Sequence, residues 1–273
     1  MLKADVASGP AYRVQAFRTA QCRVKGRYAY RSYAKDRDHL FYVYVFCVTG
    51  NGLTVLVDTG MASLVEMNRG AGFLLTELLS QGLGEDTASI LDRAGITPQQ
   101  VDLVLLSHCH YDHCSNLSMF PNAQVVVPAT AWDVWHHAPE GAVYLHEGFL
   151  DELESIHEQG RLTLLDEGLV APGIGVRRVG GHSPCSQFIH VNTTCGVAVI
   201  TGDTVQMYAN LEQNDPIGIW MDDGECWRAL EIARDEPDIL VPGHDPLVLE
   251  RYPGGVIAVT GSSGTPTHTP LQA

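Results

Sequence analysis

The stretch Ser107-His108-Cys109-His110-Tyr111-Asp112-His113 places four candidate metal ligands within six residues. Neutral imidazole and carboxylate are the usual nitrogen and oxygen ligands of zinc and similar ions. In a turn, the H-x-H-x-D-H spacing aims His108 and His110 at one ion, and Asp112 and His113 at a second a few ångströms away. Three later segments each add one donor: His182 in Gly180-Gly181-His182-Ser183-Pro184, Asp203 in Thr201-Gly202-Asp203-Thr204, and His244 in Pro242-Gly243-His244-Asp245. Each is weak alone, because a lone Gly-His turn is more often structural. Together they bring the set to five histidines and two aspartates. Two ions roughly 3.5–4 Å apart hold a hydroxide between them and lower its pKa toward neutrality. Such a hydroxide attacks a carbonyl carbon or a phosphorus, and needs no serine or cysteine nucleophile.

The elements that position these residues are legible in outline. Residues 41–48 (FYVYVFCV) are rich in β-formers. Gly50-Asn51-Gly52 then turns the chain into a second apolar run, Leu53 to Val57, which ends at Asp58-Thr59-Gly60. Residues 86–94 carry a capping aspartate and stop at Gly95, which predicts a short helix. Val101 to Leu106 predicts a buried strand running into His108, and Val125 to Val127 another. Residues 129–137, 147–159 and 223–235 predict helices. Phe188 to Val191 and Gly196 to Ile200 predict a hairpin that delivers Asp203. Ile239 to Val241 predicts a strand ending at His244. Asp58, His108, Asp203 and His244 thus all fall just past strand ends, where rigid scaffolds place chemistry.

The chain has 273 residues, 45% of them hydrophobic and 18% charged, an ordinary globular balance. Residues 1–260 read as a single domain. From Gly261 the chain (GSSGTPTHTPLQA) reads as a loose tail. A formal net charge of -15 argues against nucleic acid or an anionic membrane as partner. No apolar stretch is long enough to span a bilayer, and the N-terminus has no continuous apolar signal core. Seven cysteines without framework spacing suit a reduced, cytoplasmic protein.

With these residues in view, His108, His110, Asp112, His113, His182, Asp203 and His244 resemble the motif set of the metallo-β-lactamase superfamily over roughly residues 40–250. The resemblance implies an α+β fold, an αββα sandwich of two mixed sheets with helices outside and the metals at one sheet edge. It implies one ion on His108, His110 and His182, a second on Asp112, His113 and His244, and Asp203 bridging the two. Asp112 would take a proton, and Asp58 would orient ligand histidines. The ions would be two divalent cations, zinc in the first instance, with iron, manganese or cobalt also accepted by these ligands. A homodimer is the assembly the family suggests.

Within the superfamily the chain is most similar to N-acyl homoserine lactonases, through Leu56 to Met61 (LVDTGM), Gly181-His182-Ser183-Pro184 and Gly243-His244-Asp245. That resemblance implies a small-molecule substrate and ring opening of a lactone by the metal-bridging hydroxide. The alternative is another ester, amide or lactam hydrolysed on the same ions, with a non-lactonase family member such as a nuclease or redox protein ranked behind it. Three departures concern the pocket rim. Gln206 stands where those lactonases carry a tyrosine, so Tyr208, two residues on, is the candidate substitute. Cys114-Ser115-Asn116 follows His113 in place of Ala-Gly-Gly, and Cys185 replaces a glycine. Cys109, Cys114 and Cys185 read as small buried side chains rather than ligands. Residues 206–222 read as a rim or lid that sets specificity. Trp132, Trp135, Trp220 and Met207 read as core more readily than as pocket. His136, His137, His146 and His157 match no motif.

Overall fold

A computed structural model describes residues 2–137 and 148–259. The tail from Gly261, together with His146, lies outside the described residues. Strands β1 (Arg13–Lys25), β2 (Asp38–Gly50), β3 (Leu53–Val57), β4 (Leu75–Ser80), β5 (Leu103–Leu105), β6 (Gln124–Val127) and β7 (Leu162–Leu164) lie in one sheet. Strands β8 (Glu167–Ala171), β9 (Ile174–Arg178), β10 (Gln187–Thr193), β11 (Gly196–Ile200) and β12 (Ile239–Val241) make the second sheet, and β13 (Val256–Ala258) returns to the edge of the first. The first sheet runs β13-β1-β2-β3-β5-β6-β7 with β4 added on β1, and the second runs β12-β11-β10-β9-β8.

Alternation along the strands builds three layers of core. Tyr44 and Phe46 of β2, with Val55, Val57 and Leu105, face Val176, Ile189, Val191, Ile200 and Val241 of the other sheet. The intervening Val45 and Cys47 point the opposite way. They join Leu56, Val104 and Val125 under the helices Thr87–Ala94, Ala129–His137 and Phe149–Glu158. On the far side, Phe188, Val197 and Val199 pack against the helices Leu2–Ala7 and Asp223–Asp235. The fold is the αββα sandwich that the sequence implied. Trp135 is buried in the outer layer beneath the first group of helices, so it is core, and Trp132 packs against that same layer.

The hairpin at Gly50-Asn51-Gly52 forms as expected, with Asn51 at φ 55° and Gly52 at φ 78°, the positive pair of a tight two-residue turn. Asp86 caps the helix Thr87–Ala94 by accepting from Ser89 N–H, and Gly95 ends it at φ 70°. The strand expected over 101–106 forms only at Leu103–Leu105. Its neighbours are satisfied otherwise: Asp102 N–H donates to Thr54 O at 2.9 Å, and Ser107 N–H donates to the Asp58 carboxylate at 2.7 Å.

Strand direction brings the functional loops together. β3 and β5 are parallel with Val57 opposite Leu105, and β11 and β12 are parallel with Ile200 opposite Val241. Each pair therefore ends at one level. The two pairs deliver Asp58, His108, Asp203 and His244 to the same edge of the sandwich, the carboxyl-end position where open sheets bind ligands.

Candidate metal centre

Asp203 stands at the centre of the cluster. Its Oδ2 lies 3.9 Å from His108 Nε2 and 3.5 Å from His182 Nε2. Its Oδ1 lies 3.2 Å from His113 Nε2 and 2.8 Å from His244 Nε2. On the Oδ2 side, His110 Nδ1 sits 3.1 Å from His108 Nε2 and 2.9 Å from His182 Nε2, so three imidazole nitrogens converge on one point. On the Oδ1 side, Asp112 Oδ2 is 3.3 Å from His113 Nε2, and Asp112, His113 and His244 form a second converging group. One carboxylate thus offers one oxygen to each of two trios.

Backbone geometry makes this approach possible. Gly202 sits at φ 51°, and a Cβ there would meet Ser107 at 2.7 Å; a Cβ on Gly243 would meet the Gly202 carbonyl at 2.3 Å. Only glycines let the Asp203, His108 and His244 loops close on one another. Asp58 adopts φ 63°, a left-handed conformation held by its surroundings. Its carboxylate accepts from Ser107 N–H and Ser107 Oγ, both at 2.7 Å, and from His113 Nδ1 at 2.8 Å. This fixes His113 with Nε2 facing the cluster, the usual service of an outer carboxylate to a ligand histidine. Backbone carbonyls do the same for two other rings. His182 Nδ1 is 3.1 Å from Ile219 O, and His244 Nδ1 is 2.8 Å from Tyr42 O, with Phe41 stacked on the His244 ring at 5.1 Å between centroids.

All these side chains are buried except His110, which is partly exposed. Burying five imidazoles and two carboxylates is costly unless a cation joins them. His113 Nε2 and Asp203 Oδ1 lie 3.2 Å apart, both sealed from solvent, and neither makes an aligned hydrogen bond. A pair of divalent cations supplies what these donor sets lack. The residues therefore fit the group.

The two trios differ electrically. Burial, reinforced by the neighbouring His113, holds His108 well below its ordinary pKa. Burial and His182 push His110 down to about 3. Burial also lowers His182, against the pull of Asp203. On the other side burial is outweighed. Asp112, Asp203 and Asp58 hold His113 well above its ordinary value, and Asp203 raises His244. Burial would raise Asp203 itself, but His244, His108 and His113 hold it well below the carboxylate range.

Several residues lie elsewhere than the sequence suggested. Tyr208, the candidate substitute at the rim, starts the helix Tyr208–Glu212 and turns its ring into the core between the sheets. Its hydroxyl donates to Leu240 O at 3.2 Å, and the Arg251 guanidinium covers its ring at 3.6 Å. It is therefore held away from the trios, its hydroxyl engaged by Leu240 and its ring by Arg251 and the inter-sheet core. Gln206 instead lies against Asp203, with Nε2 at 3.4 Å from Oδ2.

Residues 206–222 also form a fixed rim rather than a free lid. Asn210 donates to Ala29 O, and the buried Asp215 carboxylate accepts from Ser32 and Tyr33 N–H. At the outer end of this rim, the Arg31 guanidinium stacks over Trp220 at 4.0 Å. Cys109, Cys114 and Cys185 all belong to the core layer behind the ligand loop, where Cys185 Sγ accepts from Cys109 N–H at 3.2 Å.

Sequence reasoning missed one support. Glu225 accepts from Gly181 N–H at 2.9 Å and pairs with Arg178 at 2.9 Å, and Arg178 also holds Pro184 O at 2.8 Å. This ion pair clamps the turn that carries His182 from both sides. A family model of the metallo-beta-lactamase superfamily matches residues 39–244, the span that holds every residue of the two trios.

The chain belongs to the metallo-beta-lactamase superfamily. It is a metal-dependent hydrolase. An N-acyl homoserine lactonase of Bacillus thuringiensis is 28% identical over 199 residues, covering 70% of this chain and 76% of that relative. Metallo-beta-lactamase domain-containing protein 1 of Xenopus laevis is 28% identical over 200 residues, covering 71% of this chain and 67% of its own. Among solved structures, an N-acyl homoserine lactone hydrolase with N-hexanoyl-L-homoserine at its catalytic metal centre shares the fold. It superposes with a TM-score of 0.72 at 22% identity, covering 87% of this chain and 95% of its own. AidC, a dizinc quorum-quenching lactonase, superposes with a TM-score of 0.61 at 15% identity, covering 93% of this chain and 97% of its own.

Proposed function

We propose that this member of the superfamily opens the ring of an N-acyl homoserine lactone, or of a close relative, on two zinc ions. The observation that carries the reading is Asp203, whose two oxygens face different ligand trios. His108, His110 and His182 would hold one ion, Asp112, His113 and His244 the other, and Asp203 would join them. When bound, such a pair supplies an activated water and polarises the carbonyl it attacks. The lactonase relatives supply the substrate class, and the dizinc neighbour the choice of metal.

The chain's own residues do the remaining work. Burial would raise Asp112, but His113 outweighs it and keeps the carboxylate ionised. Asp112 would receive the proton of the attacking water. The water oxygen bonds to the lactone carbonyl carbon, the ring C–O bond breaks, and the departing ring oxygen takes that proton back. One water is consumed and a hydroxy acid is formed. The pinned rim over residues 206–222 keeps the site's walls in place while the ring opens.

The test is acid release from a panel of acyl homoserine lactones, plain lactones, linear esters and β-lactams, followed by pH change with the metal-loaded protein. The reading expects acyl homoserine lactones to lead the panel. Faster release from linear esters or β-lactams would replace it with another hydrolase on the same centre.

A further inference from the structure

Beside the short helix Gly26–Ala29, a cavity of about 650 Å³ opens to solvent. Its walls come from the end of β1, that helix, the turn into β2, and Thr76 of β4. Four cations line it, Lys25, Arg27, Lys35 and Arg37, with two carboxylates, Asp36 and Asp38. The chain has 32 Asp and Glu for 17 Lys and Arg, so an unpaired cluster of cations runs against its composition. Yet among the described residues none of the four forms an ion pair. Lys25 Nζ donates to Phe73 O at 2.6 Å, and the Arg27 guanidinium lies over the Tyr28 ring at 5.7 Å. Asp38 is engaged instead by Arg23 at 3.5 Å and by Thr76 Oγ, which donates to it at 3.2 Å. Four cations against two carboxylates leave the lining with a formal surplus of two positive charges.

The backbone ties the two halves of this lining together. Gly26 N–H donates to Arg37 O at 2.6 Å, and Arg37 N–H donates to Ala34 O at 3.1 Å. A Cβ on Gly26 would meet Arg37 O at 2.3 Å and Ala34 O at 2.5 Å, so only glycine lets the end of β1 close on the turn. Ala34 takes a left-handed φ of 46°, a strained backbone of the kind that clusters at ligand clamps. A cavity of this volume is in the range of small-molecule sites. Like charges held side by side repel unless an anion joins them. A phosphoryl group carries close to two negative charges at neutrality and three acceptor oxygens, and guanidinium forks match its geometry. We propose that this cavity binds a small phosphate monoester, its dianion held by Lys25, Arg27, Lys35 and Arg37. No ligand of the metal centre lines the cavity, so the inference goes beyond the lactone reading and does not draw on it. The helix that lines it also holds the rim, through Gly218 N–H on Tyr28 O at 3.0 Å and Asn210 Nδ2 on Ala29 O at 2.9 Å. The cavity thus backs onto the segment whose Ile219 carbonyl orients His182.

Calorimetry of the zinc-loaded protein with adenosine 5′-monophosphate, and with adenosine as the uncharged control, tests this. Saturable binding of the monophosphate is expected, about tenfold or more tighter than that of adenosine and weakened by added salt. Lys35→Glu combined with Arg37→Glu is expected to weaken it about 100-fold or more with both zinc ions retained, because two charge-assisted contacts are lost. Arg27→Gln, a milder change, should weaken it about tenfold, and it decides the matter if the double variant fails to fold. No saturable binding, or equal binding of adenosine, would overturn the inference. Unchanged affinity in the charge-reversed protein would overturn it too, by placing the phosphate on the metal ions. None of these outcomes touches the lactone reading, and a protein that opened no lactone would still be expected to bind the monophosphate.

Discussion

The two ligand trios that meet at Asp203 use the same imidazole chemistry in opposite electrostatic settings. His108, His110 and His182 face one another, with Asp203 Oδ2 at 3.5 Å from His182 and 3.9 Å from His108, and burial outweighs the pull of that carboxylate. They stay neutral and present bare nitrogens. His113 and His244 face carboxylates at 3.3 Å or less and hold their protons more tightly. One half of the centre is thus set to receive a cation, and the other must release protons to do so. The comparison shows that a ligand's identity does not fix its readiness. The charges a few ångströms away do.

The strongest way to break this comparison is to remove what joins the halves. Asp203→Asn deprives both trios of the shared charge, and turnover is expected to fall by roughly three orders of magnitude, several kcal/mol of lost stabilisation. Steady-state kinetics on the metal-loaded variant checks it; near-normal turnover would remove Asp203 from the centre of the account.

The supports come next, and they should act on one half each. Asp58→Asn unlocks His113 and Ser107, so affinity for the second ion is expected to drop about 10–100-fold with the first ion retained. Glu225→Gln loosens the Gly181 turn under His182, so the first ion should weaken instead, by about tenfold. Chelator competition reads both constants. Equal losses at both ions in either variant would dissolve the distinction between the halves.

How much of this the sequence could show depended on distance along the chain. The H-x-H-x-D-H run is legible because one turn holds four donors. His182, Asp203 and His244 are single residues, given meaning only by their shared order and by the family resemblance. The supports left still less trace. Tyr42 and Ile219 act through backbone carbonyls, which any residue type provides, and Glu225 lies 44 residues from the turn it holds. Strand β1 was not expected, although Val14, Ala16, Ala20, Cys22 and Val24 all lie buried. A register shift between Arg18 and Ala20 interrupts its two-residue rhythm, and four basic side chains dilute its apolar signal. The helix Leu64–Ala71, which buries no residue fully, was not expected either. Tyr208 was misplaced because its position after Asp203 could not show that Arg251 and Leu240 claim its ring and hydroxyl.

The smallest expected effect sharpens the comparison through pH. In the metal-free protein His113 and His244 are raised above their ordinary value, so they remain protonated as pH rises through about 6.5. Their contribution to stability is full below that point and is lost as pH climbs through the raised values. Binding the second ion must displace those protons, so its affinity should rise with pH across the same window. His108, His110 and His182 are lowered, so the first ion should bind near neutrality with little proton release. Titration calorimetry in buffers of different ionisation enthalpy counts the protons. Equal release at both steps would contradict the contrast.

The most direct measurement is metal content per chain in the purified protein and in His244→Ala, by elemental analysis after dialysis. Two ions per chain are expected in the unaltered protein, and one in the variant, held by His108, His110 and His182. One ion or none in the unaltered protein, or loss of both on changing His244 alone, would contradict a centre built as two trios around Asp203.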